Sequence, residues 1–197
     1  MSAGAKVDAV VMGGSAGGLE AVATLLQALP EPFVPAVLVV LHIPAERPSL
    51  LAELFAQRCR LPVREALDKE HLEGGTVYVA PADYHLLVED RHTLALSREA
   101  PVLFSRPSID VLFESAAEAF GDCLTAIVVS GANEDGARGL AAVREAGGRA
   151  WVQSPSEAYA AAMPAAAIER AGADLVAPIR DIAERLMHLR TGRVVAI

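Results

Sequence analysis

A serine, a histidine and an aspartate each follow a segment of strand-like composition in this chain. Ser15 lies in the glycine-rich run 13–18, His42 comes directly after an apolar run, and Asp135 comes a few residues after another apolar run. A serine hydroxyl becomes a nucleophile when a neighbouring imidazole takes its proton, and a carboxylate can orient and stabilise that imidazole. These residue types predict a serine hydrolase with Ser15 as nucleophile, His42 as base and Asp135 as orienting acid.

The spacing around the serine supports this chemistry. Gly13, Ser15 and Gly17 match the GxSxG pattern of a nucleophile elbow, in which a strand turns sharply into a helix. Glycines allow the turn and let a substrate approach the backbone closely. The amide of Ala16, at the start of the following helix, is then the natural first donor to a developing oxyanion.

The pattern alone leaves other readings open. Glycine-rich turns before helices also bind phosphates, but a dinucleotide fingerprint needs glycine where Ser15 stands, and no Gly-Lys-Ser/Thr follows as in a phosphate-binding loop. His42 by itself could be a structural hydrogen-bonding residue, and Asp135 could be a loop or helix-capping acid. The order serine, histidine, aspartate differs from the standard triad orders, but triads are defined by geometry.

The elements that would position these residues alternate along the chain. A hairpin is predicted at 85–88 and 93–96, and a short helical stretch is expected after residue 153. Buried strands are predicted at about 7–12, 36–41, 76–80, 124–129, 149–153 and 174–177, and helices at about 19–29, 49–58, 108–120, 137–146 and at the C-terminal end through 188. This alternation predicts an α/β fold, a three-layer α/β/α arrangement with a mostly parallel sheet and an antiparallel hairpin near one edge.

That architecture brings the three candidate residues together. In open α/β sheets, ligands and catalytic groups gather beyond the carboxyl ends of the strands. Ser15, His42 and Asp135 each follow a predicted strand. We therefore expect all three at the same edge of one sheet.

Composition narrows the class of protein. With 197 residues, 53% of them apolar, the chain is expected to be one domain over 1–197 with a large core. The net charge of −8 disfavours nucleic acid and anionic membrane surfaces as partners. No apolar run is long enough to span a membrane and no secretory signal is evident, so we expect a cytoplasmic protein without membrane insertion. Cys59 and Cys123 are far apart and are expected to be reduced thiols, with no metal site.

Seven ordered segments of the chain are similar to the motifs of one enzyme family. They are Gly13–Gly18, Leu41–Pro44, Val77–Pro81, His85–Leu86, Arg106–Phe113, Ser130–Ala137 and Ala162–Pro164. The first resembles a Gly-Ala-Ser-Thr-Gly-Gly nucleophile motif, the second Gln-His-Met-Pro, and the fifth Arg-Pro-Ser-Val-Asp-Val-Leu-Phe. The chain thus resembles, over nearly its whole length, the catalytic domain of CheB-type chemoreceptor protein-glutamate methylesterases.

The resemblance implies a specific reaction. Ser15, His42 and Asp135 would form the triad that hydrolyses γ-glutamyl methyl esters on the cytoplasmic helices of methylated chemoreceptors, releasing methanol. Some members of the family also deamidate glutamine. No metal or organic cofactor is implied, and a receptor methyltransferase or a separate response regulator are candidate further partners. Arg106, which could guide an acidic receptor helix or simply fix a loop, and Met163 are candidate substrate contacts.

The chain departs from the family pattern at several positions. Ala16 stands where the family has threonine, and Ala132 stands where a methionine helps to form the oxyanion hole, so that only backbone donors are expected there. Two alternatives therefore remain: a related hydrolase acting on another ester, and a degenerate domain that binds receptors or partners. The chain also starts at the catalytic strand, so we expect a catalytic domain without a receiver domain, whether stand-alone or an excerpt.

Overall fold

Runs of valine, leucine and alanine form a parallel sheet in the computed structural model, which describes residues 7–43 and 49–189. Elements are numbered in chain order. The strands of the described residues are β1 (Ala9–Gly14), β2 (Ala36–Leu41), β3 (Val63–Glu65), β4 (Val77–Val79), β5 (His85–Asp90), β6 (Thr93–Ser97), β7 (Leu124–Val128), β8 (Arg149–Gln153) and β9 (Leu175–Ala177). Seven of them build the main sheet, whose central strands are buried along their whole length as expected when helices cover both faces.

The strand order is β3-β4-β2-β1-β7-β8-β9, and every neighbouring pair is parallel. Strands β2, β4 and β3 lie on one side of β1, and strands β7, β8 and β9, which come later in the chain, lie on the other side. The order therefore reverses next to β1, and such a switch point leaves a crevice at the carboxyl ends of the strands where ligands bind in sheets of this type.

Helices cover both faces of the sheet. They are α1 (Gly18–Gln27), α2 (Leu51–Ala56), α3 (Ile109–Phe120), α4 (Ala137–Glu145), α5 (Ala162–Ala171) and α6 (Ile179–Met187), with a short 3₁₀ turn at Gly121–Cys123. One hydrophobic cluster joins the sheet to α3, α4 and α5, and a second joins its other face to α1, α2 and α6. Among the described residues, no helix is both long and apolar enough to cross a lipid bilayer.

The predicted three-layer α/β/α class is confirmed, with differences at particular elements. Strand β1 is displaced toward the glycines, so that Ser15 follows it directly. The edge strand β3 was not predicted, because it has only three residues, two of them charged, and carries no apolar periodicity. The hairpin β5–β6 forms a separate two-stranded sheet and does not extend the main one; its residue Val88 donates its amide hydrogen bond to the Ser115 hydroxyl of α3.

Helices α3 and α4 approach each other at a glycine. A methyl group on Gly139 would lie 2.6 Å from Cβ of Phe113 and 3.0 Å from the backbone oxygen of Asp110. Both contacts are shorter than van der Waals packing allows, and the second is with backbone that cannot rotate away. Glycine is therefore required for α4 to pack this closely on α3.

We expect Gly139→Ala to lower the free energy of unfolding by about 1–3 kcal/mol, since overpacking would force α3 and α4 apart. Helix propensity alone would change the stability in the opposite direction, because alanine stabilises a helix interior by about 1 kcal/mol relative to glycine. A loss of stability would therefore report the steric conflict. Urea denaturation measures the change. Glu145→Ala, at an exposed position of the same helix, is the control and should change little. An unchanged or increased stability of Gly139→Ala would show that the close approach is not needed.

Candidate active site

Backbone hydrogen bonds tie together the segments that follow β1, β2 and β7. The amide of Ser15 donates to the carbonyl of Ser130 (2.9 Å), and the amide of His42 donates to the carbonyl of Gly14 (3.2 Å). Gly17 adopts a left-handed conformation (φ +75°), and a methyl group there would lie 2.5 Å from Cβ of Tyr159. The glycine pattern is thus explained both by the turn and by the close approach of a second loop.

Two backbone amides near the serine are available as donors. The amides of Ala16 and Ala132 have no hydrogen-bond acceptor within residues 7–43 and 49–189, and both residues are exposed. Ala16 lies just before α1, where the helix dipole favours negative charge, and its carbonyl accepts a hydrogen bond from the Ser130 hydroxyl (2.6 Å). The Ala16 loop is therefore held through its carbonyl group, while the Ala16 amide has no acceptor among the described residues.

The histidine and the aspartate are in direct contact. His42 Nε2 lies 2.7 Å from Asp135 Oδ2, and the Asp135 side chain is completely buried. The same carboxylate accepts hydrogen bonds from the Ser108 hydroxyl (2.9 Å) and from the amides of Ile109 (2.7 Å) and Asp110 (3.0 Å). It therefore has four donors and occupies the N-terminus of α3.

The position of Ser108 differs in detail from the prediction of a helix beginning there. Ser108 does stand at the N-cap position of α3, with an extended backbone, but its side chain makes no capping hydrogen bond. Its hydroxyl donates instead to Asp135, and the Asp135 carboxylate receives the helix amides of Ile109 and Asp110. The helix is capped from another loop, which is a tertiary contact that the local sequence does not encode.

These contacts determine the charge of Asp135. Burial by itself raises the pKa of this carboxyl, but the hydrogen bonds from His42, from the amides of Asp110 and Ile109 and from the Ser108 hydroxyl outweigh it, so its pKa lies below the usual value. An ionised carboxylate surrounded by donors carries no proton, and the proton of the shared hydrogen bond therefore belongs to His42 Nε2. In the neutral imidazole, this arrangement leaves the lone pair on His42 Nδ1.

That second nitrogen faces a serine that sequence analysis did not single out. The Ser105 hydroxyl lies 3.3 Å from His42 Nδ1. Ser15 is half-buried one strand away, and its hydroxyl makes no hydrogen bond to any residue of the described ranges. Hydrogen bonds between catalytic groups are often long in free enzymes and tighten in the substrate complex. His42 and Asp135 thus form a contact in the structure, and the participation of Ser15 stays a prediction.

Two further buried residues support the site from behind. Asp110 accepts the amides of Gly136 (2.9 Å) and Gly139 (2.7 Å), which holds the start of α4 beside Asp135; burial raises its pKa. His85, the first residue of β5, accepts the amide of Ser108 through Nδ1 (3.1 Å). The Arg-Pro-Ser-Ile-Asp segment carries Ser108 and Asp110, so the family resemblance held a signal for both, whereas nothing in the sequence pointed to Ser105.

The two candidate substrate contacts have defined surroundings. The guanidinium of Arg106 is hydrogen-bonded to Asp83 and to the carbonyls of Arg98 (3.1 Å) and Glu99 (2.9 Å), and it lowers the pKa of the Asp83 carboxyl. Arg106 thereby fixes a loop, one of the two roles considered for it. Met163 is fully buried and packs against Gly131, so it supports that loop from below and presents no side chain to the surface. Pro44, the last residue of the Leu41–Pro44 motif, lies outside the described residues.

A cavity of about 430 Å³ opens beside the imidazole. Its walls are contributed by His42, Ile43, Asp83, Pro101, Phe104, Ser105, Arg106 and Pro107. Within the residues described by the structure, no cluster of three or more His, Cys, Asp or Glu side chains could hold a metal ion. A neutral imidazole can act as a base, and the Ala16 amide, which precedes α1 and has no acceptor among the described residues, can act as an oxyanion donor; acyl transfer uses both kinds of group.

Comparisons with known proteins identify relatives over most of the chain. The family model described as CheB methylesterase matches residues 10–186. A protein of Leptospira interrogans, assigned to the protein-glutamate methylesterases/protein-glutamine glutaminases, is 43% identical over 182 residues, which are 92% of this chain and 94% of the relative. A protein-glutamate methylesterase/protein-glutamine glutaminase of Cupriavidus metallidurans is 39% identical over 186 residues, but this chain spans only 52% of its length.

A solved structure is similar as well. The crystal structure of the Thermotoga maritima CheB methylesterase catalytic domain superimposes with a TM-score of 0.88 at 30% identity, covering 94% of this chain and 100% of that one. Sequence and fold thus point to the same group of proteins.

The donors around Asp135 lead to a prediction about stability and pH. Removing one of them by Ser108→Ala should lower the free energy of unfolding by about 1–3 kcal/mol at pH 7, because a buried carboxylate loses a hydrogen bond. The pKa of Asp135 is lower in the folded state than its unfolded value of about 3.9. Its contribution is therefore present above that pH and is lost as the pH falls through the folded pKa.

Denaturant titrations of the wild type and Ser108→Ala, carried from pH 7 into acid well below the unfolded pKa of about 3.9, measure this effect. The difference in stability should be largest at neutral pH and should shrink in acid, as Asp135 becomes protonated. Ser156→Ala removes an exposed hydroxyl far along the chain and serves as the control. A difference that is independent of pH would show that the Ser108 hydroxyl does not stabilise an ionised Asp135.

Proposed function

The chain belongs to the CheB methylesterase family, and we propose that it is a serine hydrolase that removes methyl esters from γ-glutamyl methyl ester residues of chemoreceptors. The observation that carries the proposal is the hydrogen bond between His42 and the buried, ionised Asp135 at the carboxyl edge of the sheet, next to β1, which Ser15 follows directly. The relatives supply the substrate class, since their names specify protein glutamate and protein glutamine.

In the proposed reaction, the Ser15 hydroxyl attacks the ester carbonyl while its proton passes to His42 Nδ1. The negative charge on the carbonyl oxygen is stabilised by the free amides of Ala16 and Ala132. His42, now charged and held by Asp135, returns the proton to the leaving methoxide, and methanol departs. Water then attacks the acyl-enzyme, giving its proton to His42, and the glutamate carboxylate is released as Ser15 regains its hydroxyl.

The substitutions near the serine are compatible with this chemistry. Ala16 and Ala132 lack the side chains common in the family, but the proposed oxyanion contacts use backbone N–H groups, which every residue except proline retains. The same acyl-enzyme forms from a glutamine side chain when ammonia leaves in place of methanol. Protein-glutamine deamidation is therefore included in the proposal, as the names of the relatives suggest.

The cellular setting follows from the substrate. A methylated receptor presents its glutamyl esters in the cytoplasm, and we place the enzyme there as one catalytic domain. A receptor methyltransferase and a separate response regulator are the candidate further partners. The net charge of −8 offers no general attraction to nucleic acid or anionic lipid.

Methanol release from a methylated chemoreceptor fragment tests the function directly. The wild type should release methanol, and Ser15→Ala should reduce the rate by roughly 10⁴-fold or more, because without the nucleophile only binding and oxyanion stabilisation remain. Ser105→Ala is the matched control: it removes the serine hydroxyl that contacts His42 in the structure and should retain activity within about tenfold of the wild type. Loss of activity in Ser105→Ala with retention in Ser15→Ala would assign the nucleophile to Ser105.

The same variants separate an active enzyme from a degenerate binding domain. A fluorophosphonate probe should label the wild type and Ser105→Ala at Ser15, as found by peptide mapping, and should not label Ser15→Ala. If the wild type hydrolyses small esters but releases no methanol from the receptor fragment, the assignment of the nucleophile stands and the proposed substrate is wrong. A wild type that is neither labelled nor active would contradict the enzymatic assignment.

A further inference from the structure

A two-residue turn beside the imidazole has an unfavourable backbone. Val102 and Ser105 exchange two backbone hydrogen bonds (3.1 and 2.8 Å), and the residues between them, Leu103 and Phe104, both have left-handed conformations with φ of +47° and +64°. Turns of this kind normally contain asparagine or glycine, because a Cβ atom is strained at positive φ. Here two large apolar residues take those positions.

The side chains do not compensate for this strain by burial. Phe104 is fully exposed, with a relative accessibility of 103%. A single exposed apolar residue needs no explanation by itself. At Phe104, an apolar side chain is exposed to water and the backbone is strained as well, and both effects cost stability. Strained non-glycine residues concentrate at functional sites.

The turn is held firmly at its base. Arg106 follows it directly and is hydrogen-bonded to Asp83 and to two carbonyl groups of the preceding loop. Ser105, at the end of the turn, contacts His42. The backbone of Phe104 is thus held in place by the contacts of its neighbours. A binding residue that is already ordered before its ligand arrives loses less conformational entropy on binding.

A second exposed aromatic ring lies on the other side of the Ser15 turn. Tyr159, in the loop after β8, is 86% exposed and its Cβ closely approaches Gly17. Phe104 lines the cavity beside His42, which follows β2. Since the sheet order is β2-β1-β7-β8, Ser15, directly after β1, lies between the two aromatic residues. They flank the reacting position along the edge of the sheet.

We propose that Phe104 and Tyr159 determine specificity for the protein substrate by binding the apolar side chains on either side of its glutamyl methyl ester. This inference rests on the proposed function. A small ester is too short to contact both rings, whereas a polypeptide that places its ester at Ser15 extends past both. Exposed, rigid aromatic residues are the usual anchors of protein recognition.

The test compares two substrates in each variant: a methylated chemoreceptor fragment, followed by methanol release, and p-nitrophenyl acetate. Phe104→Ser and Tyr159→Ser should each lower kcat/KM for the receptor fragment roughly tenfold relative to kcat/KM for p-nitrophenyl acetate in the same variant, through a higher KM. Phe104→Leu, which keeps an apolar side chain, should recover most of the loss.

Val34→Ser is the matched control. Val34 is also an exposed apolar residue (51%), but it precedes β2 at the opposite, amino-terminal edge of the sheet, and its ratio of the two kcat/KM values should equal that of the wild type. Unfolding midpoints of all variants ensure that folded proteins are compared.

The outcomes are distinct. If the wild type releases methanol and neither serine variant alters the ratio, the proposal for Phe104 and Tyr159 is overturned while the proposed function stands. A wild type that cleaves only p-nitrophenyl acetate overturns both. A drop in the ratio for both serine variants with recovery in Phe104→Leu supports the proposal.

Discussion

The buried carboxylate of Asp135 is the contact on which the rest of the site depends. A charge without access to water is tolerated only when donors surround it, and here they come from His42 after β2, from Ser108 and from the first amides of α3. The requirement of one anion therefore fixes three segments that are distant in sequence. The α3 helix, the loop after β7 and the imidazole cannot shift independently without leaving that charge unsatisfied.

The same requirement determines how the imidazole can act. Because Asp135 accepts and cannot donate, the proton lies on His42 Nε2, and Nδ1 is directed to the side where the cavity and Ser105 lie. Asp110 and His85 extend this support by holding the start of α4 and the backbone of Ser108. The residues on the buried side of His42 are thus held by hydrogen bonds. On the solvent side, Phe104 and Tyr159 contribute exposed aromatic rings.

Much of the fold was predictable because its core strands are long apolar runs. Strands β2 and β8 have the predicted bounds, whereas β3 has too few residues and too much charge to be recognised. The proximity of His42 and Asp135 followed from the rule that strand ends share an edge. The contact of Ser105 with His42 did not follow, because it depends on a turn stabilised by Arg106 through tertiary contacts. The burial of Met163 likewise depends on packing that no local pattern encodes.

The most direct measurement of the central claim is the rate of methanol release by Asp135→Asn. Asparagine keeps the size of the side chain but cannot stabilise a charged imidazole, and its amide group can favour the wrong histidine tautomer. We expect kcat to fall by about 10⁴-fold while the protein remains folded, as for an orienting carboxylate in a triad. A folded Asp135→Asn variant with a rate close to that of the wild type would contradict the account, since the buried charge would then have no part in activating His42.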